Sequence, residues 1–311
     1  MTEKLRAWLA EDFGLQVGEL EQVHEGADVA AEVWRAGSYA VKWSGGGSDA
    51  GPLSTAYLAS RGVQGVPAPV PTLTGGLWSE REGRRLSVMP WITGERASDT
   101  GLTLDQWTSY GALLAAVHRA APPAELQAAL PPINPINARM PALTRSVRAR
   151  LTTPADAVAE ELAAVWEAHD DLIAAVLEQC ADLSGRDLGG TAVLCHADPH
   201  LANVLIAPGQ LHLIDWDDVV LAPVEQDLMF FLGGMGTIGP TTDAEEKAFF
   251  TGYGPVDLDP TRLRYYRSAR AVEDFAGWSD YVLTDAPDRQ ERLNVVKFIL
   301  GPNGLAVRAL A

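Results

Sequence analysis

"VLCHADPHLANVLIAPGQLHLIDWDD", residues 193 to 218, sets Asp198, Asn203, Asp215, Asp217 and Asp218, with His196, His200 and His212, among Val, Leu and Ile. Ionisable groups avoid such company unless a structure pairs them, so the segment demands a fold that gathers them. "NVLIA" and "LHLID" read as two short strands separated by Pro208, Gly209 and Gln210. A hairpin symmetric about Gly209 places Asn203 opposite Asp215, where cross-strand Cα atoms lie ~4.5–5.5 Å apart. Asp198, in the Pro-containing loop "HADPH" just upstream, brings a third oxygen donor to the same end of the ribbon.

A neutral amide oxygen and a carboxylate suit Mg²⁺, which takes few protein ligands when phosphates and water supply the rest. An Asp placed five residues before the Asn and 17 before the second Asp matches phosphoryl transfer. The first carboxylate steers or accepts the proton of the attacking hydroxyl, and the other pair holds Mg²⁺ on the nucleotide phosphates.

"HADPHLANVLI" followed by "LIDWDD" resembles the aminoglycoside phosphotransferase family, a kinase-like fold that includes choline kinase relatives. The family pattern is His, Gly, Asp, a second His three residues before Asn, then a hydrophobic strand ending in Asp; here Ala197 stands where Gly is usual. "VVLAPVEQDLMFFLGG", "FFTGYG" and "YYRSARAVEDF" look like the spectinomycin phosphotransferase branch. The resemblance implies that Asp198 is the catalytic base, that Asn203 and Asp215 are magnesium ligands, and that His196 supports the loop. It also implies that Asp227 is a buried brace of the catalytic-loop backbone, an ordinary helix N-terminal acid being the alternative.

The same resemblance places Lys42 of "SYAVKW" on the nucleotide phosphates. The family's Lys pairs with a Glu on the following helix, but between Lys42 and Glu80 the only acid is Asp49, which either takes that role or caps the helix that Pro52 begins. "SVMPWITGE" resembles the strand and hinge that hold adenine. With Gly94 aligned on the post-hinge Gly, the Pro90 carbonyl accepts from the adenine amino group and the Ile92 N–H donates to the ring. Met89 stands beside the base or fills the core. The turn near Gly26 is a candidate phosphate cover without a G-x-G-x-x-G or Walker signature, and Gly45 to Gly47 read as a turn. The implied cofactors are ATP, with GTP as the other candidate, and Mg²⁺.

Outward from this segment, residues 1 to 91 carry short β-prone pieces, including a hairpin turning near Glu82 and Gly83. Beyond "MPWITGE" the pattern turns helical: "TLDQWTSYGALLAAVHRA", an Ala-rich stretch from about 155 to 180, "AEEKAFFTGYG" and "TRLRYYRSARAVEDFAGW". Pro122, Pro123, Pro131, Pro132 and Pro135 mark breaks between helices. The expected fold is α+β and two-lobed like a protein kinase. A small antiparallel-sheet nucleotide-binding lobe spans 1–91, a hinge 92–95, and a larger, mainly helical catalytic and substrate lobe 96–311.

The 311 residues are 47% hydrophobic and 21% charged, as in a globular chain. No run approaches the ~18 apolar residues of a membrane helix. "MTEKLRAWLAEDFG" reads as an amphipathic surface helix and not a signal peptide. Two cysteines, Cys180 and Cys195, point away from a disulfide framework and towards the cytoplasm. A net charge of −17 disfavours nucleic acid and anionic membranes and is consistent with plain solubility or with a cationic substrate. We expect a monomer or weak homodimer.

The partner is then a small polar molecule, an aminocyclitol or aminoglycoside by resemblance, with a sugar, amino alcohol or cyclitol of metabolism as the alternative. Acids that could meet its ammonium groups are Asp217, Asp218, Glu225, Glu273, Asp274 and Asp280, and Trp216 or Trp278 could stack on its ring. Two rival readings are a nucleotide-binding module without turnover and a zinc hydrolase built on His196, Asp198 and His200. Pro199 disfavours the second, because it opposes the helix that would put both histidines on one face.

Overall fold

The computed structural model describes residues 1–23, 31–45, 48–131, 139–232 and 241–311. The turn near Gly26, and Gly46 and Gly47, lie outside the described residues. The chain separates into two compact units: Met1–Pro131 with Val193–Leu221 and Lys247–Gly254, and Pro132–Ala192 with Ala222–Glu246 and Pro255–Ala311. The lobes read from the sequence divide the chain by role instead of compactness, and remain a proposal.

In the first unit, strands β1 (Glu21–Val23), β2 (Ala31–Ala36), β3 (Tyr39–Ser44), β4 (Ser79–Arg81) and β5 (Arg84–Pro90) form a five-stranded sheet in the order β1-β2-β3-β5-β4. Its pairings are antiparallel. The β4–β5 turn falls at Glu82 and Gly83, with φ of 55° and 73°, the backbone that a two-residue hairpin turn needs. Period-2 alternation then sorts the side chains. Val41, Trp43, Leu86 and Val88 are buried with Trp34 and Ala36. Lys42 pairs with Ser87 and Ala40 with Met89, so Lys42 and Met89 share the opposite face.

The helix Thr2–Phe13 supplies the cover for the buried face. Leu5, Trp8, Leu9 and Phe13 recur at helical spacing and pack into one cluster with the sheet, Trp8 lying 5.6 Å from Trp43 between ring centroids. The expected surface helix is thus amphipathic, but its apolar stripe is core.

The hairpin consists of β8 (Val204–Ala207) and β9 (Gln210–Leu213), with β6 (Glu95–Arg96) against the outer edge of β8. A further short pair joins β7 (Val193–Cys195) to β10 (Val220–Ala222). The hairpin register differs from expectation by one residue: Val204 pairs with Leu213 and Ala207 with Gln210. Pro208 and Gly209, the latter at φ 78°, form a two-residue turn of the Pro-Gly pattern. Gln210 therefore enters the strand instead of the loop. Asn203 then stands across from Ile214, whose N–H donates to the Asn203 carbonyl at 2.9 Å, and not across from Asp215.

The second unit is helical: Met140–Leu151, Ala157–Ala168, Asp170–Ser184, Pro260–Val282, Arg289–Leu300 and Leu305–Ala309. Val147, Leu162, Trp166, Ile173, Phe275, Leu293 and Val296 belong to its core. The Ala-rich stretch is two helices, the first capped by Asp156, which accepts from the N–H groups of Val158 and Ala159. Leu9→Ala, in the N-terminal helix, should cost about 2–5 kcal/mol in chemical denaturation, as for a fully buried leucine. A loss under about 0.5 kcal/mol would instead mark a surface position.

Candidate active site

The loop from His196 to Asn203 is held by a closed set of hydrogen bonds. His196 is fully buried. Its Nε2–H donates to the Ile214 carbonyl at 2.9 Å, and its Nδ1 accepts the Asp198 N–H at 3.2 Å. The second bond requires an unprotonated Nδ1 and so selects the tautomer. Tyr110, fully buried on the helix Leu104–Arg119, donates its hydroxyl to the Pro199 carbonyl at 2.5 Å. Asn203 donates its Nδ2 to the Asp198 carbonyl at 2.9 Å and to the Asp198 carboxylate at 3.2 Å. Because both bonds use the amide nitrogen, the Asn203 Oδ1 faces the other way, as an oxygen donor. His200 Nε2 lies 3.2 Å from the same carboxylate of Asp198.

Asp215 adopts φ 63° and Ala197 φ 70°, two non-glycine residues in the left-handed region. At Ala197 the family's Gly would adopt this conformation freely. At Asp215 the left-handed turn ends the strand and re-aims the side chain that the register shift would have turned away. The carboxyl stays open to solvent yet is crowded by protein. That crowding pushes its pKa up, the Asp217 and Asp198 carboxylates push the same way, and Lys42 and His200 pull it down. Asp198, Asn203, Asp215 and Lys42 thus come into one neighbourhood, as expected.

Lys42 forms an ion pair with Asp217. Asp49 does not take the expected role beside it: Asp49 stands at the N-cap of the helix Ala50–Ser60 without a side-chain capping bond, and its carboxylate pairs with Arg85. Arg85 captures it because its other branch donates to the neighbouring Ser48 carbonyl at 2.7 Å.

At the end of β5, the Trp91 N–H donates to the Ser38 carbonyl at 2.8 Å. In a trans peptide the Pro90 carbonyl must point the opposite way. A Cβ on Gly94 would come within 2.5 Å of the Ile206 carbonyl oxygen, so only glycine fits between this segment and the hairpin. Met89 is half-buried.

Other expected contacts fall elsewhere. Trp216 is buried, with its ring 4.7 Å from that of His196 and its Nε1–H donated to the Leu213 carbonyl at 2.8 Å, so it has no face for a substrate. Arg292 lies over Trp278. Glu225 is buried against Arg262 at 2.9 Å, Asp274 pairs with Arg270, and Asp280 with Arg150. Glu273 is half-buried on the helix Pro260–Val282 and Asp227 fully buried on Glu225–Leu228, both in the second unit. Asp218 is exposed. With both ring nitrogens of His196 engaged within the protein, the zinc reading loses its first ligand. Sequence reasoning missed Tyr110 and Arg85; the helical spacing of Trp107 and Tyr110 signals burial but cannot name a partner 89 positions away.

A family model described as "Phosphotransferase enzyme family" matches residues 54–266. Among solved structures, spectinomycin phosphotransferase APH(9)-Ia in complex with ADP and spectinomycin superposes at a TM-score of 0.87 with 27% identity, over 99% of this chain and 97% of that one. A choline/ethanolamine kinase family protein from Mesorhizobium loti is similar in fold (TM-score 0.57, 16% identity, 99% and 98% covered). So is the GDP complex of wild-type aminoglycoside 2'-phosphotransferase-IIIa (TM-score 0.60, 16% identity, 95% and 97% covered). No curated protein matches the chain in sequence.

Ala197→Gly should raise stability by about 1 kcal/mol in urea titration by relieving the left-handed backbone. Asp215→Asn should raise the thermal midpoint in EDTA. The fold raises this carboxyl, so its contribution to stability is greatest at acid pH and is lost as pH rises through the folded value. The gain should therefore appear at neutral pH and vanish towards the unfolded carboxylate range. Asn also tolerates the left-handed backbone.

Proposed function

The chain belongs to the phosphotransferase enzyme family, and on that premise we propose that it moves the γ-phosphoryl group of ATP onto a hydroxyl of a small, polar, cationic molecule of the aminocyclitol or aminoglycoside kind. It has the α+β fold of the kinase-like aminoglycoside phosphotransferases, with an antiparallel sheet in the N-terminal region and helices towards the C-terminus. The observation that carries the proposal is the Asp198–Asn203 hydrogen-bonded pair, with Asp215 and Lys42 in electrostatic reach.

Asp198 is the base. Its backbone is tied through His196 and its carboxylate through Asn203, so it meets the acceptor hydroxyl in a set orientation. The donor set of Asn203 and Asp215, an amide oxygen and a carboxylate, fits a hard cation, and these two residues would hold Mg²⁺. When bound, Mg²⁺ neutralises charge on the phosphates. Lys42 adds a fixed positive charge on the face it shares with Met89. Adenine would lie along that face, its edge read by the Pro90 carbonyl and the Ile92 N–H. Residues 1–91 then act as the nucleotide lobe, 92–95 as the hinge and 96–311 as the lobe for chemistry and acceptor.

Two features support a cationic acceptor: the net charge of −17 and the exposed Asp218 beside the catalytic segment. Among the described residues no helix is long and apolar enough to cross a membrane. A cytoplasmic setting, where ATP is at hand, completes the reading.

An ADP-release assay across aminocyclitols, aminoglycosides, sugars and amino alcohols tests it. Turnover on an aminocyclitol such as spectinomycin is the expected result, whereas turnover confined to sugars or amino alcohols would reassign the enzyme to metabolism. Asp198→Asn should lower kcat by about 10²–10⁴ while leaving nucleotide affinity in place. Asp215→Asn should abolish Mg²⁺-dependent nucleotide binding in calorimetry. Normal rates in both variants would remove the assignment.

A further inference from the structure

The helix Ala50–Ser60 follows β3 in the position from which kinases supply a carboxylate to the strand lysine, yet its sequence, AGPLSTAYLAS, holds no acid. Asp49, just before it, is engaged with Arg85. The carboxylate beside Lys42 comes instead from Asp217, 175 positions downstream and two residues beyond Asp215. We propose that Asp217 replaces the missing helix carboxylate as the positioning residue for Lys42, acting on the nucleotide through the lysine and not by touching metal or acceptor itself. The inference deepens the phosphotransferase reading above and rests on it.

Two further observations support this assignment. The first turn of the helix presses on the segment that carries Asp217: a Cβ on Gly51 would come within 2.7 Å of the Trp216 carbonyl oxygen and 3.7 Å of the Asp217 Cα. Asp217 therefore emerges where the helix meets the post-hairpin backbone, and buried Trp216 anchors that backbone from behind. In addition, the Lys42 and Asp217 side chains are 27% and 49% exposed. A pair that open contributes little to folding, so holding a flexible lysine in one orientation is the use left to it. The device also lets one segment serve both halves of the site. Asp215 and Asp217 are two residues apart, so Lys42 is held in register with the proposed metal ligand.

The test is a double-mutant cycle of Lys42→Met and Asp217→Asn on the full chain, with folding checked by circular dichroism. The probe is a fluorescent N-methylanthraniloyl ADP in Mg²⁺, which needs no acceptor. Each single variant should weaken probe binding about tenfold, and the double variant should stay within about twofold of Lys42→Met alone. The apparent Mg²⁺ requirement of Asp217→Asn should equal that of wild type. If Asp217→Asn still weakens binding tenfold in the Lys42→Met background, or raises the Mg²⁺ requirement there, Asp217 acts by itself and the inference is overturned while the enzyme reading stands. If wild type fails to bind the probe at all, the nucleotide reading falls and this inference with it.

Discussion

One buried imidazole ties the His196–Asn203 loop to the hairpin. His196 takes the Asp198 N–H on one nitrogen and gives its other N–H to Ile214, the residue just before Asp215. Asp198 and Asp215, 17 positions apart in the chain, are thereby linked through a single ring. The imidazole is fully buried and its two partners are partly so, so a substitution costs about 1–3 kcal/mol where it leaves a donor or acceptor unsatisfied away from water. Trp216 packs on the imidazole and prevents it from turning.

Around this tie the backbone is strained at two points. Ala197 and Asp215 flank its two ends, and both are left-handed. Backbone in sparsely populated regions persists only where its surroundings over-determine it, and here the Tyr110, Asn203 and Ile214 hydrogen bonds do so. Asp215 is also crowded by two other carboxylates. Such repulsion opposes folding, and Lys42 and His200 partly relieve it.

A different constraint acts in the N-terminal sheet, its pleat. Burying Val41, Trp43, Leu86 and Val88 under the N-terminal helix obliges Lys42, Ser87 and Met89 to face the other way. The apolar stripe of the first helix thus helps to aim the lysine. Gly94, squeezed against Ile206, keeps the segment after β5 close to the β8–β9 hairpin.

Residue chemistry and local spacing determined much by themselves. That Asp198, Asn203 and Asp215 come together was legible, because polar and ionisable groups set among apolar residues need a structure that gathers them. The β4–β5 turn was legible because Gly83 suits positive φ. The tertiary structure decided the rest. The Pro208–Gly209 corner chose a register one residue from the expected one, since a two-residue and a three-residue turn fit the same local pattern. The partner of Lys42 was out of reach of any local pattern, because only folding brings Asp217 across 175 positions. Trp216 went to the core and Asp49 to Arg85 for the same reason: an exposed or paired fate depends on which surfaces meet, and sequence spacing encodes elements far better than it encodes their contacts.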